Sequence, residues 1–215
     1  MEIKNLTKRY GEIAVYENFN LTVEDGLITC ILGESGSGKT TLLNAVAGLT
    51  EYEGEITQKK CSYVFQSPRL VPCLTVEDNL KLVCKDTDRI FEALKNLGIE
   101  DKAKEYPVRL SGGQAQRVSL ARAFLHGGEI MLLDEPFSAL DLKLKYSVMR
   151  LFKEVWQRTK PAVLFVTHDV DEALLLSDRI IIIESGKIKA DFINDSGDEH
   201  LRLKIIDILL DNGAD

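Results

Sequence analysis

Features that are missing from the sequence exclude several classes of protein. Its 215 residues contain no apolar run that approaches the roughly 18 to 20 residues a helix needs to cross a bilayer. The stretch from Met1 to Tyr10 lacks the apolar core of a signal peptide. We therefore expect a protein that stays inside the cell and reaches a membrane only through a partner.

Cysteine is scarce and shows no pairing pattern. The four cysteines are Cys30, Cys61, Cys73 and Cys84, and no two have CxxC or metal-ligand spacing. Cys30 and Cys61 lie in apolar, strand-like runs. We expect free thiols in a reducing compartment rather than a disulfide framework.

An excess of basic residues is also missing. With 34 acidic against 27 basic residues the net charge is −7, whereas nucleic-acid surfaces depend on clustered Lys and Arg. The charge therefore argues against nucleic acid as a partner, although it leaves a local basic patch possible. The length suits one α/β domain, or a core with a small subdomain.

The most informative stretch is an apolar run, 27–32, followed by a glycine-rich turn and an amphipathic segment ending at Gly48. The pattern of Gly, four free positions, Gly, Lys and Thr predicts a strand, a phosphate-binding loop and a helix. The predicted nucleotide-binding residues here are Gly33, Glu34, Ser35, Gly36, Ser37, Gly38, Lys39, Thr40 and Thr41.

The chemistry explains these residue types. Glycines let backbone N–H groups turn toward phosphate oxygens, and the next helix directs its positive end at the same anion. Lys39 then reaches the β- and γ-phosphates, and Thr40 holds Mg²⁺. The alternative is an ordinary Gly/Ser-rich turn between a strand and a helix.

Polar residues follow three other strand-like runs. Gln66 follows 61–65, Asp134 and Glu135 follow 130–133, and His168 follows 162–166. Ligands gather at the carboxyl ends of parallel strands, and Asp134 is then the expected Mg²⁺ partner. The alternatives are a loop hydrogen bond for Gln66, solvated turn acids for Asp134 and Glu135, and a structural role for His168.

Helical spacing dominates from about residue 70 to 125, which we interpret as a helical insertion. Its last part, Leu110 to Gln114 before an amphipathic run, predicts a helix capped by Ser111 whose Ser-Gly-Gly entrance offers N–H groups to an anion. This is a second phosphate cradle, made by Ser111, Gly112, Gly113 and Gln114.

The remaining segments complete an α/β pattern. Strands are predicted at 2–7, 18–23 and 51–57, and a hairpin turns at Ser185-Gly186. Helices are predicted from Ser138-Ala-Leu-Asp141 to about Thr159, and from 199 to 210 with an end at Asn212-Gly213. Tyr10 lies between two strand-like pieces and is either a sheet-packing residue or a platform for a ligand.

Together these residues resemble the ATP-binding subunit of an ATP-binding-cassette (ABC) transporter over nearly the whole chain. The motifs in the family's order are Gly33 to Thr41, Gln66, Leu110 to Gln114, Ile130 to Glu135, Ser138 to Asp141, and His168. The resemblance implies a single ABC ATPase domain over 1–215. Its implied fold is an α/β P-loop NTPase core with a mostly parallel sheet, an N-terminal antiparallel β subdomain and the helical subdomain of about 70–125.

The resemblance also implies roles. Tyr10 would stack on the adenine of ATP, Gln66 would touch Mg²⁺ and sense the membrane partner, and His168 would contact the γ-phosphate. Glu135 would polarise the attacking water, with Lys39 on the phosphates. The Ser111 to Gln114 segment would cap ATP held by a second copy, in a head-to-tail dimer.

A narrower likeness lies in Phe65 to Pro72 and Leu74 to Asn79, which are similar to importers of nitrate, sulfonate, taurine and thiamine-precursor type. Cys73 stands where those proteins commonly have tryptophan. The implied partners are integral-membrane permease subunits and an extracytoplasmic substrate-binding protein, with the chain on the inner face of the cell membrane. The alternatives are an exporter subunit, or a cassette ATPase of DNA repair or translation.

Overall fold

The structure, a computed structural model, describes residues 1–138, 140–195 and 200–210. The chain forms two compact units. The first combines residues 1–59 with the chain from residue 162 onward, and the second contains residues 60–161. The chain therefore leaves the first unit once, after Lys59, and returns to it at Ala162.

Strands and helices alternate along most of the chain. The strands are β1 (Glu2–Tyr10), β2 (Ile13–Thr22), β3 (Ile28–Leu32), β4 (Glu53–Ile56), β5 (Cys61–Val64), β6 (Ile130–Asp134), β7 (Ala162–Thr167), β8 (Arg179–Glu184) and β9 (Lys187–Ile193). The α-helices are α1 (Lys39–Val46), α2 (Val76–Lys81), α3 (Thr87–Asn96), α4 (Gly112–His126), α5 (Leu142–Thr159), α6 (Val170–Leu176) and α7 (Leu201–Leu210). Short 3₁₀ turns lie at Glu100–Lys102 and Pro107–Arg109.

The first unit contains two kinds of sheet. β1 pairs antiparallel with β2 on one side and with β4 on the other. In the other sheet β3 lies between β7 and β8 and runs parallel to both, and β9 pairs antiparallel with β8. The antiparallel N-terminal part and the parallel core predicted from the sequence are both present.

The register of the parallel strands aligns two loops. Every residue of β3 and β7 is buried, which explains their continuous apolar sequences. Leu32, the last residue of β3, lies opposite Thr167, the last residue of β7. The loop that starts at Gly33 and the one that starts at His168 therefore leave the same edge of the sheet.

The second unit aligns another pair of strand ends. β5 and β6 are parallel, with Val64 opposite Leu133. Gln66 and the Asp134-Glu135 pair consequently emerge at one edge. α4 packs on β5 and on helices α2, α3 and α5, so the region from 70 to 125 contains three helices, packed through α4.

Some predicted boundaries differ from the structure. α5 begins at Leu142 with the Asp141 side chain as its cap, rather than at Ser138. The Ser138 hydroxyl instead donates to the backbone oxygen of Glu135 at 2.9 Å, which makes a turn. Ala139 and the predicted helix end at Asn212-Gly213 lie outside the described residues.

The cysteines and the turn of the hairpin agree with expectation. All four cysteines are free, and burial raises the pKa of Cys30 and Cys61. Ser185 and Gly186 have φ of 47° and 73°, as a two-residue hairpin turn requires. Within the described ranges, no helix is long and apolar enough to span a membrane.

Candidate functional site

The loop between β3 and α1 closes around its own lysine. The Lys39 side chain is buried, and its ammonium donates to the backbone oxygens of Gly33 and Glu34 at 2.7 Å each. Gly36 and Gly38 have φ of 85° and 97°, a region that disfavours residues with a side chain. The loop is therefore a glycine-dependent turn with a cation inside it.

α1 starts without a side-chain cap, which distinguishes it from the helices α2 to α6. Its N-cap is Gly38, and no acidic residue lies in its first turn. The first N–H groups of a helix need partners and carry partial positive charge. The starts of α2 to α6 are each capped by a side chain, in order Thr75, Asp86, Ser111, Asp141 and Asp169.

Other features of the loop fit a phosphate group. The Ser37 hydroxyl oxygen is buried and makes no hydrogen bond to any described residue. A Cβ atom built on Gly36 would meet no atom within 4 Å, so the space beside it is open. The loop borders a cavity of about 220 Å³, which it shares with the end of β8 and with Ile208 and Leu209 of α7. The uncapped helix, the buried cation and the orphaned hydroxyl together suit an anion.

The donor set for a metal is small. In the described parts of the chain no group of three or more His, Cys, Asp or Glu residues could hold a metal ion. Thr40 is exposed at the start of α1, and Asp134 supplies a buried carboxylate. A hydroxyl and a carboxylate are each a type of ligand that Mg²⁺ accepts, and this ion takes other ligands from substrate phosphates and water.

Tyr10 ends β1 with its side chain in the open. The residue is 51% exposed, and the Lys8 ammonium lies 4.7 Å from the centre of its ring. A ring packed into a sheet would be covered, so this exposure favours the ligand platform over the packing alternative. A flat base could stack on such a ring.

Asp134 and Glu135 differ sharply although they are adjacent. Asp134 is only 6% exposed, which does not fit a solvated turn acid. The phenol of Tyr63 hydrogen-bonds to it, and burial followed by the charge of Asp134 raises the pKa of that phenol. Glu135 is half-buried with a φ of 42°, and its Oε2 accepts a hydrogen bond from the Gln66 amide at 3.2 Å. The structure thus brings Gln66 and Glu135 together.

The start of α4 satisfies part of its own hydrogen bonding. The Ser111 hydroxyl oxygen accepts from the Gln114 backbone N–H at 3.3 Å, and the Gln114 side chain accepts from the Ser111 backbone N–H at 2.9 Å. This reciprocal pair is a capping box. Because the Ser111 oxygen acts here as an acceptor, its O–H proton can still donate to an anion.

The two glycines at this helix start have different surroundings. A Cβ on Gly113 would lie 2.2 Å from Leu144 Cδ2, whereas one on Gly112 would meet nothing within 4 Å. A side chain at position 113 would therefore require the Leu144 side chain of α5 to move. Gly112 is exposed and leaves the backbone accessible.

His168 is exposed between a buried residue and a helix cap. Thr167 before it is 1% exposed, and Asp169 after it caps α6 by accepting from the Asp171 and Glu172 backbone N–H groups at 2.9 and 3.2 Å. The imidazole therefore stands on a fixed backbone at the sheet edge from which the phosphate loop also leaves.

Comparisons with known proteins assign the chain to a family. A family model described as ABC transporter matches residues 16–138. The aliphatic sulfonates import ATP-binding protein SsuB 1 of Paracoccus denitrificans is 42% identical over 196 residues, covering 88% of this chain and 81% of the relative. The chain belongs to the ABC transporter family.

Further relatives agree with membership of the ABC family. The aliphatic sulfonates import ATP-binding protein SsuB 2 of Paraburkholderia xenovorans is 44% identical over 197 residues, covering 89% of this chain and 80% of that protein. The dimeric structure of MJ0796, a bacterial ABC transporter cassette, superposes with a TM-score of 0.81 at 34% identity, over 90% of this chain and 98% of that one. The predicted family and fold class are confirmed.

A second structure bears on the reaction of the ABC cassette. A post-hydrolysis state of MJ0796 bound to ADP and Pi matches with a TM-score of 0.79 at 32% identity, over 90% of this chain and 98% of that one. ABC transporter cassettes are ATPases, and this chain is an ATP-binding cassette of that family. The predicted ATPase activity is thereby confirmed.

The predicted site residues of this ABC cassette divide between the two units. The first unit holds Tyr10, the phosphate loop and His168, and the second holds Gln66, Asp134, Glu135 and the start of α4. Their individual roles remain predictions at this point.

Sequence reasoning missed several residues that support the site. Tyr63 and Phe65 stack with ring centres 4.0 Å apart, and the Arg69 guanidinium lies 3.8 Å from the centre of the Phe65 ring. The available signal was the spacing of Tyr63 in β5 and Phe65 just after it, since residues two apart in an extended chain share a face. The stack extends from the tyrosine that contacts Asp134 to the loop beyond Gln66.

Side chains hydrogen-bond to the backbone of the loop after Gln66 near its start and near its end, which the sequence did not reveal. Arg122 of α4 donates to the backbone oxygens of Pro68 and Arg69 at 3.0 Å each. The fully buried Asn79 amide accepts from the Val71 backbone N–H at 2.7 Å and donates to the backbone oxygens of Val71, Leu74 and Thr75. Both side chains bind backbone rather than other side chains, so no sequence pattern identifies their partners.

Proposed function

We propose that this chain is the ATP-hydrolysing subunit of a membrane importer of aliphatic sulfonates, working as a head-to-tail pair with ATP at the interface. One observation carries the nucleotide part of the proposal. Unlike the starts of α2 to α6, the start of α1 has no side-chain cap, and its first residue is the buried Lys39. An uncapped helix start with a fixed cation is a site for phosphate.

The importer and solute assignments come from the relatives. Both named relatives are called aliphatic sulfonates import ATP-binding proteins, at 42% and 44% identity. This favours import over the exporter, DNA-repair and translation alternatives. The cassette supplies energy, while permease subunits and an extracytoplasmic binding protein would recognise the sulfonate. The chain would then act on the cytoplasmic face of the cell membrane.

The first group of roles concerns nucleotide binding. Tyr10 stacks on adenine, and the loop from Gly33 to Thr41 wraps the phosphates. Lys39 exchanges its bonds to two loop oxygens for bonds to the β- and γ-phosphates. Bound Mg²⁺ supplies neutralisation of the phosphate charge, and Thr40, Gln66 and Asp134 are its proposed ligands.

The second group concerns hydrolysis. The Glu135 carboxylate accepts a proton from water as the water oxygen bonds to the γ-phosphorus, and the bond from that phosphorus to the β–γ bridging oxygen breaks. The Gln66 amide, 3.2 Å from Glu135, orients the carboxylate. His168 donates to the γ-phosphate, and Ser111 to Gln114 of the second copy close the site. The whole chain acts as one ATPase domain, with 70–125 as its helical subdomain.

Substitution of the proposed base tests this function. Glu135→Gln keeps the hydrogen-bonding shape but loses the proton acceptor, so we expect turnover to fall by about 10²- to 10³-fold. Binding of ATP should stay within about twofold of the wild type, because glutamine has the same shape as glutamate. A twofold change in affinity corresponds to less than about 0.5 kcal/mol. Steady-state phosphate release and nucleotide titration measure the two quantities.

The matched control is Glu154→Gln, an exposed glutamate of α5 in the same unit. It should retain wild-type turnover. Chelation of Mg²⁺ should stop hydrolysis by the wild type as well. Full turnover by Glu135→Gln would remove Glu135 from its role, and turnover that is insensitive to chelation would remove Mg²⁺.

A further inference from the structure

A buried carboxylate four positions after His168 in the chain has no part in the mechanism above. Glu172 of α6 is 2% exposed, and burial of a carboxylate is costly unless other groups compensate it. Its Oε2 accepts a hydrogen bond from the Thr167 hydroxyl at 2.7 Å. Its charge also raises the pKa of the Cys30 thiol in β3, after the larger effect of burial. Glu172 therefore lies in the first unit close to β3 as well as to β7.

The Thr167 hydroxyl connects this carboxylate to the backbone on the far side of His168. While donating to Glu172, the same oxygen accepts a hydrogen bond from the Asp169 backbone N–H at 3.1 Å. A hydroxyl can fill both roles at once. The residue before His168 is thus tied directly to the residue after it.

The connection closes into a ring. The Asp169 side chain accepts from the Glu172 backbone N–H at 3.2 Å, so Glu172, Thr167 and Asp169 each contact the other members. All of these bonds involve buried or half-buried groups. His168 is the one residue of the 167–169 segment that is exposed, and the ring holds its backbone from both sides.

We infer that Thr167 and Glu172 are positioning residues for His168, which they hold in the geometry needed to reach the γ-phosphate. This inference rests on the proposed role of His168. Loss of the Thr167 hydroxyl leaves Glu172 with one donor fewer and releases the Asp169 N–H. Small displacements of a positioned group lower the rate far more than they lower ground-state binding.

The test uses a matched pair of threonines in neighbouring strands. Thr167→Val should lower kcat by about tenfold and leave KM within about twofold. Thr167→Ser keeps the hydroxyl and should restore the rate. Thr29→Val is the control, because the Thr29 hydroxyl in β3 is equally buried but makes no hydrogen bond to the described residues; its kcat should be unchanged.

Two further measurements separate positioning from mere stability. In a His168→Ala background, Thr167→Val should cause no further loss of kcat. Hydrogen exchange of the segment 167–172 should be about tenfold faster in Thr167→Val and unchanged in Thr167→Ser. This second readout does not depend on hydrolysis.

The outcomes are distinguishable. An equal loss of kcat in both backgrounds, or a failure of serine to restore it, would overturn the inference. Exchange that is unaffected by Thr167→Val would overturn it too, even if the purified protein hydrolysed no ATP and the proposed function failed. If Thr167→Val does not fold, Glu172→Met replaces it, because it removes the acceptor of the Thr167 hydroxyl, whereas Glu172→Gln keeps an acceptor. A loss of kcat in Glu172→Met that is restored in Glu172→Gln supports the inference, and wild-type kcat and exchange in Glu172→Met would exclude Glu172.

Discussion

The starts of α1 and α4 are alike in sequence and different in structure. Each has a Ser-Gly pair at its N-terminal boundary, Ser37-Gly38 for α1 and Ser111-Gly112 for α4, and both are predicted to receive phosphate. α1 has no side-chain cap and has Lys39 buried beside it. α4 has a complete capping box, no acidic or basic residue in its Ser-Gly-Gly-Gln entrance, and two exposed residues at its tip.

This difference assigns the two starts unequal tasks. We propose that the α1 start binds an anion by itself, because no side chain caps it and Lys39 lies buried there. The α4 start is already partly satisfied and uncharged, so it can only add to an anion that is held elsewhere. The comparison therefore accounts for two phosphate cradles in a chain with one phosphate loop, if the second serves another copy.

The largest effect should follow from removing the cation of the α1 start. Lys39→Met should weaken ATP binding by about 100-fold, which corresponds to about 2–3 kcal/mol for lost charge-assisted bonds. Isothermal titration of ATP measures this. Lys4→Met, at an exposed lysine of the same unit, is the control and should bind like the wild type. Equal binding by Lys39→Met would erase the proposed distinction between the two starts.

A charge at the α4 start should act on dimerisation but not on first binding. Ser111→Asp keeps a good N-cap but places a carboxylate where the second copy's phosphate would lie, whereas Ser111→Asn caps without charge. In a Glu135→Gln background, we expect Asp to weaken ATP-driven dimerisation by about tenfold or more, equivalent to about 1.4 kcal/mol. Sedimentation with ATP measures it, and equal behaviour of Asp and Asn would contradict the account.

Substitution of the two glycines at the α4 start should distinguish an effect on protein stability from an effect on dimerisation. Gly113→Ala should lower the free energy of unfolding by about 1–2 kcal/mol, because its Cβ would displace Leu144. Gly112→Ala should change stability by less than about 0.5 kcal/mol but should reduce dimerisation with ATP. Chemical denaturation measures the stability of each variant, and sedimentation with ATP measures its dimerisation. A larger loss of stability in Gly112→Ala than in Gly113→Ala would contradict the packing described above.

The smallest effect concerns the capping box itself. Gln114→Ala removes the bond to the Ser111 backbone N–H and should cost about 0.5 kcal/mol of stability. Gln114→Glu keeps an acceptor and should restore it. Thermal unfolding of the two variants measures their stability. A larger loss of stability in Gln114→Ala than in Gly113→Ala would contradict the small contribution expected of an exposed capping box.

The sequence predicted most of the strand ends and helix starts because these depend on local chemistry. Glycines at positive φ, buried apolar runs and capping residues such as Ser111 each leave a signature within a few positions. Where two residues compete for one cap, the signature is ambiguous. Ser138 and Asp141 both suit a helix start, and only the structure shows that Asp141 forms it.

Contacts between distant residues could not be predicted in this way. The bond between Gln66 and Glu135 spans 69 positions, and the contacts of Arg122 with the loop after Gln66 span 53 and 54. Such pairs depend on which strands become neighbours. The Thr167 ring is local, but its members are common polar residues that alone would indicate only a helix cap.

The central claim is that the α4 start of one copy completes the phosphate site at the α1 start of another. The most direct measurement is an experimental structure of Glu135→Gln with ATP and Mg²⁺. The account predicts a dimer in which Ser111 and Gly112 of each copy lie within hydrogen-bonding distance of the γ-phosphate that the other copy's Lys39 contacts. A nucleotide-bound structure in which Ser111 approaches no γ-phosphate would contradict it.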